Sequence, residues 1–227
     1  MVPVSVVGRG QLYNSDAPVP IGEHRYNTLL IPIDRQLYMR ESMFSKTLVS
    51  AIALAASMMV AQVASASDDK LVDSVYTELA TGAKIKMVRF GATSDWSQRW
   101  FDSNGTRLSG YWDASFGAWR GNQHHNIPGE HQNLVDVGLT PVFRFENSNK
   151  KGLYYEGGIG VHMLSKLYDN DDNRLSTHFQ FGDHLGVGYV FDNKWELAAK
   201  IQHFSNGGYK KPNSGVNYAV VKLAYHF

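Results

Sequence analysis

The architecture of the chain shows first in Lys194-Trp-Glu-Leu-Ala-Ala-Lys-Ile-Gln-His-Phe-Ser-Asn206. It alternates with period two. Trp195, Leu197, Ala199 and Ile201 fall on one face, and Lys194, Glu196, Lys200 and Gln202 on the other, which is the pattern of a strand. Continuing the phase puts His203 and Ser205 on the apolar face. In a soluble sandwich the polar face meets water. In a closed barrel with a wet interior, it is the Trp/Leu/Ile face that meets lipid. A base and a hydroxyl two residues apart on a lipid-facing strand suit a substrate that is itself a lipid.

Working outward, the same pattern recurs. Strands are expected over Leu71–Thr81, Lys84–Thr93, Leu108–Arg120, Leu134–Phe145, Leu153–Leu164, Thr177–Phe191 and Gly215–Phe227, which with the opening stretch makes eight. Leu134–Phe145 sets Val135, Val137, Leu139, Phe143 and Phe145 against Asp136, Gly138, Thr140 and Arg144; Leu153–Leu164 sets Tyr155, Ile159, Val161 and Met163 against Glu156, Gly158, Gly160 and His162. Strands this long with one polar, glycine-rich face fit a small barrel better than a sandwich, whose strands are usually nearer five or six residues. The connections alternate as well: 102–106, 146–150 and 192–193 are tight, and 120–130, 164–175 and 206–214 are long. That is the rhythm of short periplasmic turns and long outer loops. Thr81-Gly-Ala83 breaks it, being short where a long loop is due. The expected fold is all-β, an eight-stranded antiparallel transmembrane β-barrel of the outer-membrane type.

Composition is compatible with this and excludes several alternatives. The 227 residues carry a net charge of +1, too little for a nucleic-acid partner, and contain no Cys, which removes thiol catalysis, thiolate metal sites and disulfides together. A mean hydropathy of −0.30 resembles that of a soluble protein, but a barrel with a polar lumen averages to a similar value.

Residues 1–38 show no sustained period and are broken by Pro3, Pro18, Pro20 and Pro32, so they are expected to lie outside the mature fold. Residues 39–66 have the form of a signal peptide: Arg40 and Lys46, an apolar run from Leu48 to Val63, then Ala64-Ser-Ala66. Residues 67–227 would then be the mature barrel, exported through the periplasm to the outer membrane.

With the mature chain starting in the periplasm, His203 and Ser205 come to the outer rim, level with the lipopolysaccharide leaflet. Folding the last hairpin about Lys210 pairs His203 with Asn217, which shares the outward phase of Val221, Leu223 and Tyr225. Folding about Asp192-Asn193 brings Asp183, also on an apolar phase, beside the same His. A hydroxyl, an imidazole and a group that accepts the imidazole's other N–H make a hydrolase constellation. The His-x-Ser pair alone has little specificity, because both residues are ordinary at a membrane interface.

The surrounding motif is far more specific. His203-Phe-Ser-Asn-Gly-Gly-Tyr-Lys-Lys-Pro-Asn-Ser-Gly215 resembles the H-x-S-N-x-G-x-x-x-P-N-x-G signature of the lipid A 3-O-deacylase (PagL) family. Gly110-Tyr-Trp-Asp-Ala114 and Tyr155-Glu-Gly-Gly-Ile-Gly160 resemble it too. The resemblance implies an eight-stranded outer-membrane barrel that hydrolyses the 3-position ester of lipid A with no cofactor and no metal. It makes Ser205 the nucleophile, His203 the general base, and Asn213 with the backbone near Gly208 the oxyanion hole. This chain departs from the family at one point: Asn217 stands where the acid is expected. Asn can hold a ring in place but cannot stabilise imidazolium by charge, so Asp183 is the alternative orienter, and a structural barrel with weak or no activity is the competing reading. A palmitoyl transferase acting on the same lipid is a third reading, without a matching motif. Lipid A in the outer membrane is the implied partner; the sequence leaves room for a homodimer.

Three other features carry less. Asp169-Asn-Asp-Asp-Asn173 lacks the later Gly and Glu of a calcium loop and reads as a solvated outer loop. His124-His125 offers two metal ligands but no third at a usable spacing. His162, His178 and His184 take the inward phase, as members of a polar lumen network.

Overall fold

The computed structural model describes residues 71–227; the expected upstream and signal segments, 1–38 and 39–66, lie outside the described residues. Among the described residues there are eleven strands and no helix: β1 (Ser74–Gly82), β2 (Ile85–Asp95), β3 (Trp100–Ser103), β4 (Thr106–Gly121), β5 (Gln132–Asn147), β6 (Gly152–Leu164), β7 (Tyr168–Asn170), β8 (Asn173–Leu175), β9 (Phe179–Val190), β10 (Trp195–Ser205) and β11 (Val216–His226). The eight long strands pair antiparallel in the order β2-β1-β11-β10-β9-β6-β5-β4, and β4 pairs back onto β2. The eight long strands are thereby closed into a ring, which is what a strand structure in hydrocarbon requires, and short β3 adds to the Thr106 end of β4. The fold is the expected eight-stranded barrel, with all eight long strands close to their expected positions.

Alternation decides what faces where. In β10 the even residues Glu196, Ala198, Lys200, Gln202 and Phe204 are buried in the lumen, while Trp195, Leu197 and Ile201 are exposed on the outer wall. The lumen holds charges of both signs, and most of them are paired. Arg144 donates to Glu156 at 2.8 Å and to Glu196 at 3.0 Å. Lys222 reaches Glu196 at 3.0 Å, Arg89 reaches Glu78 at 3.2 Å, and Lys200 also pairs with Glu78. The Tyr154 and Tyr111 hydroxyls donate to Glu196 and Glu156 at 2.6 and 2.8 Å. As expected, His162 and His184 are buried; His162 Nδ1 bonds Asp136 at 2.8 Å. His178 is the exception. It precedes β9, is exposed, and its ring bonds the Leu164 carbonyl at 2.7 Å, so rim geometry overrides its phase.

Toward the long-loop end the lumen turns apolar, with Met87, Trp119, Leu164, Phe204 and Tyr218 packed together. The segment read as a solvated loop closes this end. It contains the β7–β8 hairpin, whose Tyr168 and Leu175 are buried in the same cluster, and Asn170 is buried too. Asn170 satisfies backbone groups rather than a calcium ion: its Oδ1 accepts from Gln123 N–H at 2.8 Å and its Nδ2 donates to the Lys84 carbonyl at 3.2 Å. The short Thr81-Gly-Ala83 connection is a genuine tight turn, Gly82 pairing with Ile85.

Aromatic side chains mark the other end of the wall. Trp195 and Tyr225 meet edge-on at 5.2 Å, and Trp96 contacts Trp100, Trp112 and Phe143. From Trp195 to Ser205 a strand rises about 33 Å, or about 25 Å along the membrane normal at a tilt of about 40°, the height of an apolar barrel band. Ser205 therefore lies at the opposite interface from the Trp195 girdle.

Replacing Arg144 with Met takes the 2.8 Å cation partner from buried Glu156 and one of the partners of buried Glu196, and is expected to cost about 3–5 kcal/mol. Lys151→Ala, at a solvent-exposed pair with Asp192, is expected to cost about 1 kcal/mol or less. Urea titration of the detergent-folded barrel measures both.

Candidate active site

His203 and Ser205 lie at the end of β10 on the outward face, continuing the row of Leu197, Ala199 and Ile201. Register brings in the neighbours: His203 stands opposite Asn217 of β11 on one side and Asp183 of β9 on the other. His203 Nδ1 and Asn217 Oδ1 are 2.7 Å apart. An amide oxygen can only accept, so this bond puts the proton on Nδ1 and leaves the Nε2 lone pair free in the neutral ring. The ring packs against Gly215, whose φ is +78°; a side chain there would collide with the imidazole and strain the backbone.

The loop after β10 is wound around the buried Asn206. Its backbone N–H donates to Asn213 Oδ1 at 3.0 Å, its Nδ2 donates to the Lys210 carbonyl at 2.7 Å, and its Oδ1 accepts from Gly208 N–H at 3.0 Å. Asn213 is thus fixed by its oxygen and keeps its Nδ2 as a donor. The Gly208 amide is occupied by Asn206, whereas Gly207 N–H points to Ser205 Oγ at 3.4 Å. Among the described residues no hydrogen bond joins His203 to Ser205 or to Asp183. The same-face spacing of two residues, about 6.6 Å between Cα atoms, leaves the long imidazole within reach of the hydroxyl on rotation.

The β7–β8 hairpin braces this loop. Ser176 N–H donates to the Pro212 carbonyl at 3.1 Å, Ser214 N–H to the Arg174 carbonyl at 3.1 Å, and Ser176 Oγ to the Lys210 carbonyl at 2.8 Å. Beside His203 lies a groove of 320 Å³ lined by Asp183, Leu185, Ile201 and Asn217. It shares Leu185 and Ile201 with a 790 Å³ apolar furrow farther along the outer wall, which includes Ala199, Ala219, Leu79 and Tyr155.

This arrangement has relatives. A profile of the family described as Lipid A 3-O-deacylase (PagL) matches residues 86–226. Over 138 residues the chain is 33% identical to the lipid A deacylase PagL of Pseudomonas aeruginosa, a match that covers 60% of this chain and 76% of that protein. It is 34% identical over 87 residues to the lipid A deacylase PagL of Bordetella bronchiseptica, covering 38% of this chain and 47% of that one. The crystal structure of the outer membrane enzyme PagL superposes with a TM-score of 0.58 at 25% identity, over 68% of this chain and 99% of that chain.

The chain belongs to the lipid A 3-O-deacylase (PagL) family. Its barrel is an outer-membrane barrel, and the row bearing His203 and Ser205 faces the lipid.

Two parts of the site escaped sequence reasoning. Asn206 was visible inside the motif, but only the folded loop shows that it is the post the loop turns on. The bracing hairpin gave no signal, because three-residue strands carry no period. Asn206→Ala removes the side-chain hydrogen bonds to the Lys210 carbonyl and from Gly208 N–H, and is expected to loosen residues 206–214 by about 1–3 kcal/mol. Faster cleavage within that loop in limited proteolysis, with the barrel itself intact, would register it.

Proposed function

We propose that this chain is a serine esterase of the outer leaflet that removes the 3-O-linked 3-hydroxyacyl chain from lipid A. The single observation that carries the reading is the outward row Asn217–His203–Ser205, set at the membrane interface beside an apolar furrow. Ser205 Oγ attacks the acyl carbonyl while His203 Nε2 takes its proton. The proton passes to the departing sugar oxygen as the acyl-enzyme forms, and water, deprotonated by the same imidazole, then releases the 3-hydroxy fatty acid and restores Ser205. Asn213 Nδ2 is the side-chain donor to the oxyanion, and the Gly208 amide joins it once released from Asn206 Oδ1. The furrow holds acyl chain along the wall, so the membrane presents the ester at the right height and no enclosed pocket is needed.

Asn217 is the point of tension with the family pattern. It orients the ring as the Asn of Cys-His-Asn sites does, but it brings no negative charge to the imidazolium. Asp183 stands opposite His203 on its other side and is a carboxylate of the same groove. The division of labour proposed is that Asn217 positions the imidazole and Asp183 contributes charge.

The competing reading, a structural barrel that has lost activity, is favoured by that same Asn217. Mass spectrometry of lipid A from a lipopolysaccharide-bearing outer membrane separates the two. Expression of the chain is expected to remove one 3-hydroxyacyl group, and Ser205→Ala to leave lipid A whole; unchanged lipid A with the parent chain supports the structural barrel.

Graded variants address the orienter. Asn217→Ala is expected to lower the rate about 10-fold, the worth of one hydrogen bond of about 1.4 kcal/mol. Asn217→Glu is expected to raise it. An Asp183→Asn barrel as active as the parent would remove Asp183 from the mechanism.

A further inference from the structure

The connection between β4 and β5 lies across the barrel from β10 and β11, and it is tightly structured. His124 N–H donates to the Glu130 carbonyl at 3.0 Å, Gly129 N–H to the Asn122 carbonyl at 3.0 Å, and Ile127 N–H to the His124 carbonyl at 3.0 Å. The β7–β8 hairpin holds it from the side: Asp171 N–H donates to the Gln123 carbonyl at 3.0 Å, and Asn126 Nδ2 donates to Asp172 Oδ1 at 2.5 Å. Within this frame His125 and Asn126 adopt left-handed φ values of +51° and +64°. Non-glycine residues take that region at a cost and do so where something else fixes them. Here the turn brings together two consecutive side chains that an extended chain would send to opposite sides. The His124 and His125 rings stack, with centroids 3.7 Å apart and planes at 27°.

Both rings turn an Nδ1 to the same carboxylate. His124 Nδ1 is 3.2 Å from Glu130 Oε1 and His125 Nδ1 is 3.9 Å from it. One ligand atom from each of the three residues lies within 4.8 Å of the others. Ligands about 2.0–2.1 Å from a tetrahedral zinc ion stand about 3.3 Å apart, so small side-chain rotations suffice to close this triangle on one ion. The sequence offered His124 and His125 with no third ligand at a usable spacing; loop closure supplies Glu130.

We propose that His124, His125 and Glu130 form a transition-metal site on the outer surface of the barrel, separate from His203 and Ser205. Two imidazoles and one carboxylate select zinc, nickel or copper over calcium or magnesium, which prefer oxygen donors. His125 and Glu130 are substantially exposed, so the fourth position is open to water or to an external ligand.

The test is calorimetric titration of ZnCl2 into the untagged full chain purified in detergent, with circular dichroism confirming the barrel, alongside His125→Ala and Glu130→Gln. One zinc per parent chain is expected, with binding about 10-fold weaker or more in each variant and no heat from MgCl2 at the same concentrations. Absence of zinc binding by the parent chain overturns the site, as does parent-like affinity in both variants. If His125→Ala does not fold, the near-isosteric Glu130→Gln decides by itself: parent-like affinity overturns the site, and weakened affinity upholds it.

Discussion

The pairing of buried charges in the lumen sets which face of each charged strand looks inward. Arg144, Glu156, Glu196 and Lys222 satisfy one another inside the barrel, and each would be costly if turned toward hydrocarbon. A strand alternates strictly, so a slip of one residue would exchange its faces. Holding Glu196 and Lys200 inside therefore forces Trp195, Leu197 and Ile201 outside, and the same phase carries His203 and Ser205 to the outer wall. The position of the proposed chemistry is a consequence of where the ion pairs sit, several residues away.

A second layer of order comes from the long-loop end. The apolar cluster around Trp119 and Phe204 stops the lumen there, and the β7–β8 hairpin covers it while bonding to the loop that carries Asn213. The same hairpin contacts the loop containing His124 and His125. One small element thus fixes two outer loops on opposite sides of the rim. The loop around Asn206 owes its shape to side-chain bonds within it and to this outside brace, and much less to the strands it joins.

Much of this was legible in the sequence, for a definite reason. Period two is simple, so strand phase could be read directly, and hairpin symmetry then gave register: His203 opposite Asn217 and Asp183 beside His203 are both present. What could not be read depends on contacts between distant segments. β3, β7 and β8 are three or four residues long and exist because of what they pack or pair with. His178 has the inward phase but falls just outside its strand. Glu130 meets His125 only through a left-handed turn, and no periodic rule anticipates that.

The chemistry proposed for Ser205 requires its side chain to project from the barrel into the lipid interface. The chain has no native Cys, so a nitroxide can be placed at Ser205→Cys, with Ile201→Cys and Gln202→Cys as outward and inward references, and its accessibility measured by electron paramagnetic resonance. The Ser205 label is expected to collide with membrane-dissolved oxygen as the Ile201 label does, at a shallower depth near the interface. A label at Ser205 shielded from both oxygen and a water-soluble nickel chelate, as at Gln202, would put Ser205 inside the barrel and end its role as an outward nucleophile.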